Sequence, residues 1–372
     1  MPSYWIIALI GSLLAAAGLA AFILYLVIRY VPIIGRIFEE KPLFLPLRVE
    51  PPQDGEEVRF SSADGLSLTG SYFRARRCPE GGRLGVLVFC HEFLSDRFSF
   101  KPYADWLRDE GFDIFTFDFR NHGASDAEPN YKPLQWVTDH EEQDLRGVFA
   151  YLRARSDHDP AGFLLYGISR GGGAAICATA KSRDVWGVIT DGAFPTGLMM
   201  QAYIKRWAEI YVPSKRMNPF VPAWIYELLA WAARLRSQRR LGCRFADVDS
   251  AVKHIAPRPW LAIHGARDVY IGPQIAQAFF ERGGDPKRFW LVPKAKHNRC
   301  LESAEAEYRE RVAQFIRDFA PRRNQCAPPA PAATPSTPSA SINSNSSPSP
   351  GVNGNGKAGE PALAATQGRV DT

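Results

Sequence analysis

The chain has 372 residues, of which 46% are hydrophobic and 23% charged, with a formal net charge of +6. This is ordinary globular composition with enough apolar material for a sizeable core. The charge is mild, and no nucleic-acid partner is expected.

The first predicted element is a membrane helix. No charged residue occurs from Tyr4 to Ile28, a run of 25 positions. That is enough to cross a hydrocarbon core of about 30 Å at roughly 1.5 Å per residue. Tyr4 and Trp5 lie at one end of the run and Tyr25 and Tyr30 at the other, as interfacial aromatics do. The competing reading is a signal peptide cleaved near Gly18-Leu19-Ala20. Against it, no Lys or Arg precedes the run, and Phe22 to Ile28 continues it past the small residues. A retained single-pass transmembrane anchor is therefore expected over 1–31, with a juxtamembrane linker over 32–55. Arg29, Arg36 and Lys41 follow the helix, which leans the rest of the chain to the cytoplasmic side.

From about Glu56 to Phe319 strand-like and helix-like segments alternate. Glu56–Ser61 and Leu66–Phe73 flank the turn signal Ala63-Asp64-Gly65 and predict a hairpin. Short apolar runs follow at Leu84–Cys90, Phe112–Asp118, Phe163–Gly167, Val185–Thr190, Trp260–His264 and Phe289–Val292. Helical patterns occur at Tyr103–Glu110, Glu141–Arg155, Gly171–Ala180, Ile275–Glu281 and Glu302–Phe319. Continuous apolar strands between helices predict an α/β domain over 56–320, a mostly parallel sheet covered on both faces. Residues 196–250 lack strand patterns and are helical and aromatic, so they are expected to form a cap over the sheet. Residues 321–372 are rich in Pro, Ser and Ala and are expected to be a disordered tail. Six cysteines (Cys78, Cys90, Cys177, Cys243, Cys300 and Cys326) contain no CxxC pair. That argues against a zinc site or disulfide scaffold and fits a reducing compartment.

The chemistry is carried by Gly167-Ile168-Ser169-Arg170-Gly171. Gly-x-Ser-x-Gly alone is a weak signal, but this copy lies between a strand, Phe163–Tyr166, and a helix beginning near Arg170. A strand–turn–helix elbow needs small residues beside the serine because the turn is sharp, and it presents the hydroxyl outward. A serine hydroxyl needs a base to remove its proton and an acid to orient that base. After the elbow, Asp268 follows the strand ending at His264-Gly265, and His297 follows the strand Phe289–Val292. Both fall at carboxyl ends of strands, where such sheets gather functional groups. Asp191, at the end of the strand after the elbow, is the rival acid; Asp268 is preferred on order and placement.

These pieces, with Ala63–Gly70 and Asp118–Ser125, resemble the α/β-hydrolase superfamily, particularly its monoacylglycerol-lipase-like and serine-aminopeptidase-like members. The resemblance implies an α/β-hydrolase fold with Ser169, Asp268 and His297 as catalytic residues. It also implies an oxyanion hole made of two backbone N–H groups, those of Arg170 and Phe93. In the latter loop, His91-Glu92-Phe93, Glu92 stands where such proteins usually have Gly, and its side chain is expected to point away from the developing oxyanion. Asp118, Arg120 and His122 read as loop scaffolding through charge-assisted hydrogen bonds.

Between Lys205 and Arg244 the cap carries nine basic residues against Glu209 and Glu227. Ile225, Leu228, Leu229, Ala232 and Leu235 predict one apolar stripe on a helix that suits either a membrane surface and anionic ligand or packing on the sheet. The expected function is a membrane-anchored serine hydrolase cleaving carboxylic esters, including lipid or acyl-thioester substrates, through an acyl-Ser169 intermediate. This chemistry requires no metal and no organic cofactor. The alternatives are a serine peptidase or aminopeptidase on the same residues and a non-catalytic membrane-tethered binding protein.

Overall fold

A computed structural model describes residues 2–39, 47–78, 83–211 and 222–321. The expected tail beyond residue 321, residues 40–46 of the expected linker and the middle of the cap, 212–221, lie outside the described residues.

The apolar runs form one eight-stranded sheet. Its strands are β1 (Glu56–Ser61), β2 (Ser67–Phe73), β3 (Gly85–Cys90), β4 (Phe112–Phe117), β5 (Phe163–Ile168), β6 (Val185–Asp191), β7 (Trp260–Gly265) and β8 (Lys287–Val292). They lie in the order β1-β2-β4-β3-β5-β6-β7-β8. β2 pairs antiparallel with both its neighbours, and every other pairing is parallel. Every residue of β3, β4, β5 and β7 is buried, which is why these strands read as unbroken apolar runs rather than alternations.

Two cores sandwich the sheet. On one face Val86, Val88 and Leu165 pack with Leu145 and Val148 of α3 (Asp139–Ala154) and with Ala174 and Ala175 of α4 (Arg170–Lys181). On the other, Leu87, Phe89 and Leu164 pack with residues that include Phe100 and Tyr103 of α2 (Phe100–Ala104) and Tyr308 and Phe315 of the helix over Glu305–Phe319. The predicted helix Tyr103–Glu110 is instead α2 followed by a 3-10 turn over Asp105–Arg108. The predicted helix Glu302–Phe319 is broken at Ala304 (φ −155°, ψ 53°) into a short turn and a helix over Glu305–Phe319. Cys90, Cys177, Cys243 and Cys300 are free and buried, whereas Cys78 is disulfide-bonded. Cysteine usage therefore carries no argument for a reducing compartment.

A third core lies above the sheet and joins the cap to the first helix. Helix α1 runs from Pro2 to Glu39, with Pro32 inside it. The segment Tyr4–Arg36 is long and apolar enough to cross a membrane. Its amino-terminal part is exposed, but Val31, Ile34 and Phe38 are buried against the cap helices α5 (Thr196–Tyr211) and α6 (Ala223–Leu241). The anchor boundary expected at residue 31 thus falls inside a helix whose last two turns belong to the cap. The buried stripe of α6 also differs from the predicted one: it is centred on Leu229, Ala230, Ala233 and Ser237, with Leu235 only partly buried. Small residues are on this stripe because α1 packs there, with Gly35 opposite Ser237 Oγ. The helix therefore packs chiefly on α1 and α5.

Candidate active site

The turn from β5 into α4 is tight enough to forbid side chains on both flanking glycines. A Cβ on Gly167 would stand 2.5 Å from the Gly171 carbonyl oxygen, and one on Gly171 would stand 2.1 Å from that of Cys90. Ser169 between them has φ 51° and ψ −116°, a region costly for any residue with a Cβ, by about 1–3 kcal/mol. Its N–H donates to the Asp191 carbonyl at 2.7 Å, so the end of β6 props the turn.

The elbow delivers Ser169 Oγ to 2.9 Å from His297 Nε2. His297 Nδ1 lies 2.7 Å from Asp268 Oδ2. With a carboxylate as its neighbour, Nδ1 carries the proton and Nε2 is left as an acceptor. Asp268 Oδ1 accepts from the N–H groups of Tyr270 and Ile271, both at 2.9 Å. Burial disfavours the charged form of Asp268, but the His297 bond and the backbone N–H of Ile271 outweigh it and hold the carboxyl below the ordinary aspartate range. A buried hydroxyl, imidazole and carboxylate linked in this way can pass the Oγ proton to Nε2 while the imidazolium is stabilised from behind.

Asp191, the rival acid, is brought to the same floor but not into this chain of bonds. Its Oδ2 accepts from Tyr308 Oη at 3.2 Å, and Tyr166 Oη donates to Tyr308 Oη at 2.7 Å. Burial pushes its carboxyl up to about 6, against the lowering influence of the Cys300 thiol and Tyr308.

Phe93 and Arg170 meet where β3 and the elbow touch, with the Arg170 guanidinium 5.8 Å from the Phe93 ring centre. The backbone N–H groups of both residues donate to no acceptor among the described residues. For Arg170 this follows from its place at the start of α4, where N–H groups lack intrahelical partners. The Arg170 side chain is wholly buried; it is ion-paired to Glu141 and 3.3 Å from Tyr131 Oη. Glu141 also closes the capping box with Thr138 at the start of α3, so one carboxylate ties the two helix starts together.

His91 is a contributor that sequence reading passed over. Its Nδ1 donates to the Glu92 carbonyl at 2.7 Å and its Nε2 accepts from the Phe119 N–H at 3.1 Å. Burial lowers its pKa, which keeps the ring neutral and able to do both. Its signal was its position, immediately before the expected Phe93 donor. The Glu92 carboxylate accepts from Ser99 Oγ at 3.2 Å, and burial pushes its pKa up.

Asp118 and Arg120 hold the neighbouring loop, through partners distant in sequence. Asp118 is ion-paired to Arg97 and accepts from the N–H groups of Arg97 (2.6 Å) and Ala124 (2.9 Å). Arg120 is ion-paired to Asp144, Asp64 and Glu128 and lies 2.9 Å from His140 Nδ1. Asp64, Glu128 and His140 are grouped closely enough to suggest a metal site, but the Arg120 guanidinium already bonds all three.

Beside His297 a pocket of ≈ 40 Å³ is lined by Gln135, Trp136, Phe194, Met199, Tyr203, Tyr270 and Ile271. Cap residues roof it, and Tyr203 Oη reaches across to the Tyr270 carbonyl at 3.2 Å.

The sheet order, with β2 alone reversed, and the serine elbow after β5 define an α/β hydrolase. The profile of the Alpha/beta hydrolase family matches residues 87–314, and the chain belongs to that family. Among curated proteins it is similar to the uncharacterised protein YfhR of Escherichia coli O157:H7, at 25% identity over 268 residues, 71% of this chain and 81% of that protein. It is also similar to the uncharacterised protein YqkD of Bacillus subtilis strain 168, at 24% identity over 261 residues, 68% of this chain and 77% of that one. Among solved structures, the Pyrococcus furiosus esterase Pf2001 superposes with a TM-score of 0.55 at 21% identity, covering 76% of this chain and all of that one, which is a likeness of fold.

Proposed function

We propose that this hydrolase is a serine esterase that takes apolar acyl substrates at a membrane surface to which α1 tethers it. The carrying observation is the linked geometry of Ser169 Oγ, His297 Nε2 and Asp268 Oδ2, at 2.9 and 2.7 Å. Ser169 Oγ attacks the acyl carbonyl as His297 Nε2 takes its proton. The carbonyl oxygen becomes an oxyanion, held by the N–H groups of Phe93 and Arg170, each such donor contributing about 3–4 kcal/mol at the transition state. The C–O bond to the leaving group then breaks, and His297 returns the proton to that oxygen. Water, deprotonated by His297, attacks the acyl-Ser169 ester; the acyl–Oγ bond breaks, His297 returns the proton to Ser169 Oγ, and the acid is released. The Glu92 carboxyl is bonded to Ser99 Oγ, and burial raises its pKa.

Supporting the membrane part are the exposed apolar length of α1 and the exposed Trp224 and Trp231 (45% and 55%) on α6. These aromatics share the cap with exposed Arg236, Arg239 and Arg240, a combination suited to an interface with anionic headgroups. The basic residues that follow the apolar run lean the catalytic domain to the cytoplasmic side, whereas the Cys78 disulfide leans it to an oxidising compartment.

A fluorophosphonate probe tests the esterase reading. Folded protein should be labelled at Ser169 and should hydrolyse p-nitrophenyl esters. Absence of labelling, with Ser169→Ala turning over esters like the parent, sinks the proposal. Cysteine accessibility on either side of the membrane tests the tether and its sidedness.

A further inference from the structure

The last two turns of α1 do more than connect an anchor to an enzyme. The pocket beside His297 has Trp136 as a wall, and Trp136 is almost completely buried. Its indole Nε1–H donates to the backbone carbonyl of Phe38 at 3.0 Å, and its ring meets the Phe38 ring edge-on at 5.9 Å. That carbonyl is in the final turn of α1, where helix carbonyls lack intrahelical partners. The same turn is clamped from the cap side. Ser237 Oγ donates to Glu39 Oε1 at 3.2 Å, and Arg240 is ion-paired to Glu39 at 3.2 Å. A continuous chain of contacts therefore runs from the apolar helix, through Phe38 and Trp136, to the space beside the proposed base.

The pocket is small. At ≈ 40 Å³ it has room for a few solvent-sized groups and not for a long chain. Trp136 also packs edge-on against Phe194 at 5.8 Å and Tyr203 at 6.3 Å, so moving the indole would enlarge the pocket along its apolar walls.

We infer that residues 31–39 of α1 set the acyl-chain selectivity of the site: seated against the cap, they hold Trp136 inward and restrict the pocket to short acyl groups, and unseated, they release it for longer ones. This rests on the esterase reading above. It makes Phe38 and Trp136 positioning and specificity-determining residues, with Glu39, Ser237 and Arg240 as the clasp.

The test compares butyryl and octanoyl p-nitrophenyl esters with the full chain in detergent micelles. The parent should favour butyryl. Phe38→Ala should raise the octanoyl-to-butyryl ratio of kcat/KM about tenfold or more, and Trp136→Phe, which removes the indole donor together with part of the ring that walls the pocket, should raise it in the same direction. Arg240→Ala, at an exposed position, loosens the clasp without opening the core and should shift the ratio by a smaller factor; it carries the test if Phe38→Ala does not fold. Ratios within twofold of the parent in the folded variants overturn the inference. A parent that hydrolyses neither ester and takes no fluorophosphonate instead removes the esterase reading, so the two failures are told apart.

Discussion

Two buried aspartates end or follow adjacent strands, and they are treated in opposite ways. Asp268, after β7, receives an imidazole N–H and two backbone N–H groups and is held in its charged form. Asp191, ending β6, faces Tyr308 and the Cys300 thiol and is pushed up to about 6 by burial. The lesson is that proximity to a histidine does not make an acid partner. The donors around the carboxylate decide whether it keeps a charge with which to stabilise an imidazolium.

That contrast can be broken or sharpened by substitution. Ser169→Ala sets the scale: it removes the nucleophile of the proposed mechanism, so ester hydrolysis should fall by about 10⁶-fold in initial-rate assays. Asp268→Asn should come next, with kcat down by roughly 10⁴-fold at most, because an amide that donates to Nδ1 favours the wrong tautomer. Asp191→Asn should cost less than about tenfold, because its backbone carbonyl still props the elbow and its side chain still accepts from Tyr308. A loss equal to that of Asp268→Asn would overturn the division of roles.

Asp191 should show itself instead in stability. Its folded pKa lies above the ordinary value near 3.9. Its contribution is therefore fully present below that value and is lost as pH rises through about 6. Denaturant melts of the parent should lose up to about 3 kcal/mol across this window, and Asp191→Asn should flatten that part of the profile. Glu92→Gln should have the smallest effect, within about threefold in kcat, because Gln retains the shape of the side chain and its acceptor for Ser99. A large loss there would mean that Glu92 acts in the reaction.

Much of the sheet could be read from residue order because β3, β4, β5 and β7 are buried on both faces and appear as solid apolar runs. The elbow could be read because Gly167 and Gly171 are demanded by close backbone contacts that no other residue survives. Ser169, Asp268 and His297 were placed by chain order and strand ends, which are local signals. What stayed hidden was non-local. Asp118 and Arg120 advertised charge-assisted bonds, but nothing nearby announced Arg97, Asp64, Glu128 or Asp144 as their partners. For the same reason the predicted stripe of α6 holds only in part: Ile225, Leu229 and Ala232 pack in the third core, while Leu235 is only partly buried. Its own periodicity pointed to Leu235, whereas its burial is set by α1, two hundred residues earlier.

The seating of Val31, Ile34 and Phe38 also dictates where the protein can be cut. Trimming through Glu39 would remove the apolar run but strip the cover from Leu229, Ala230 and Ala233. The product would exchange one greasy surface for another and tend to self-associate during purification. A cut near Leu24 keeps the last turns as a built-in lid over that patch and should yield the better-behaved soluble enzyme.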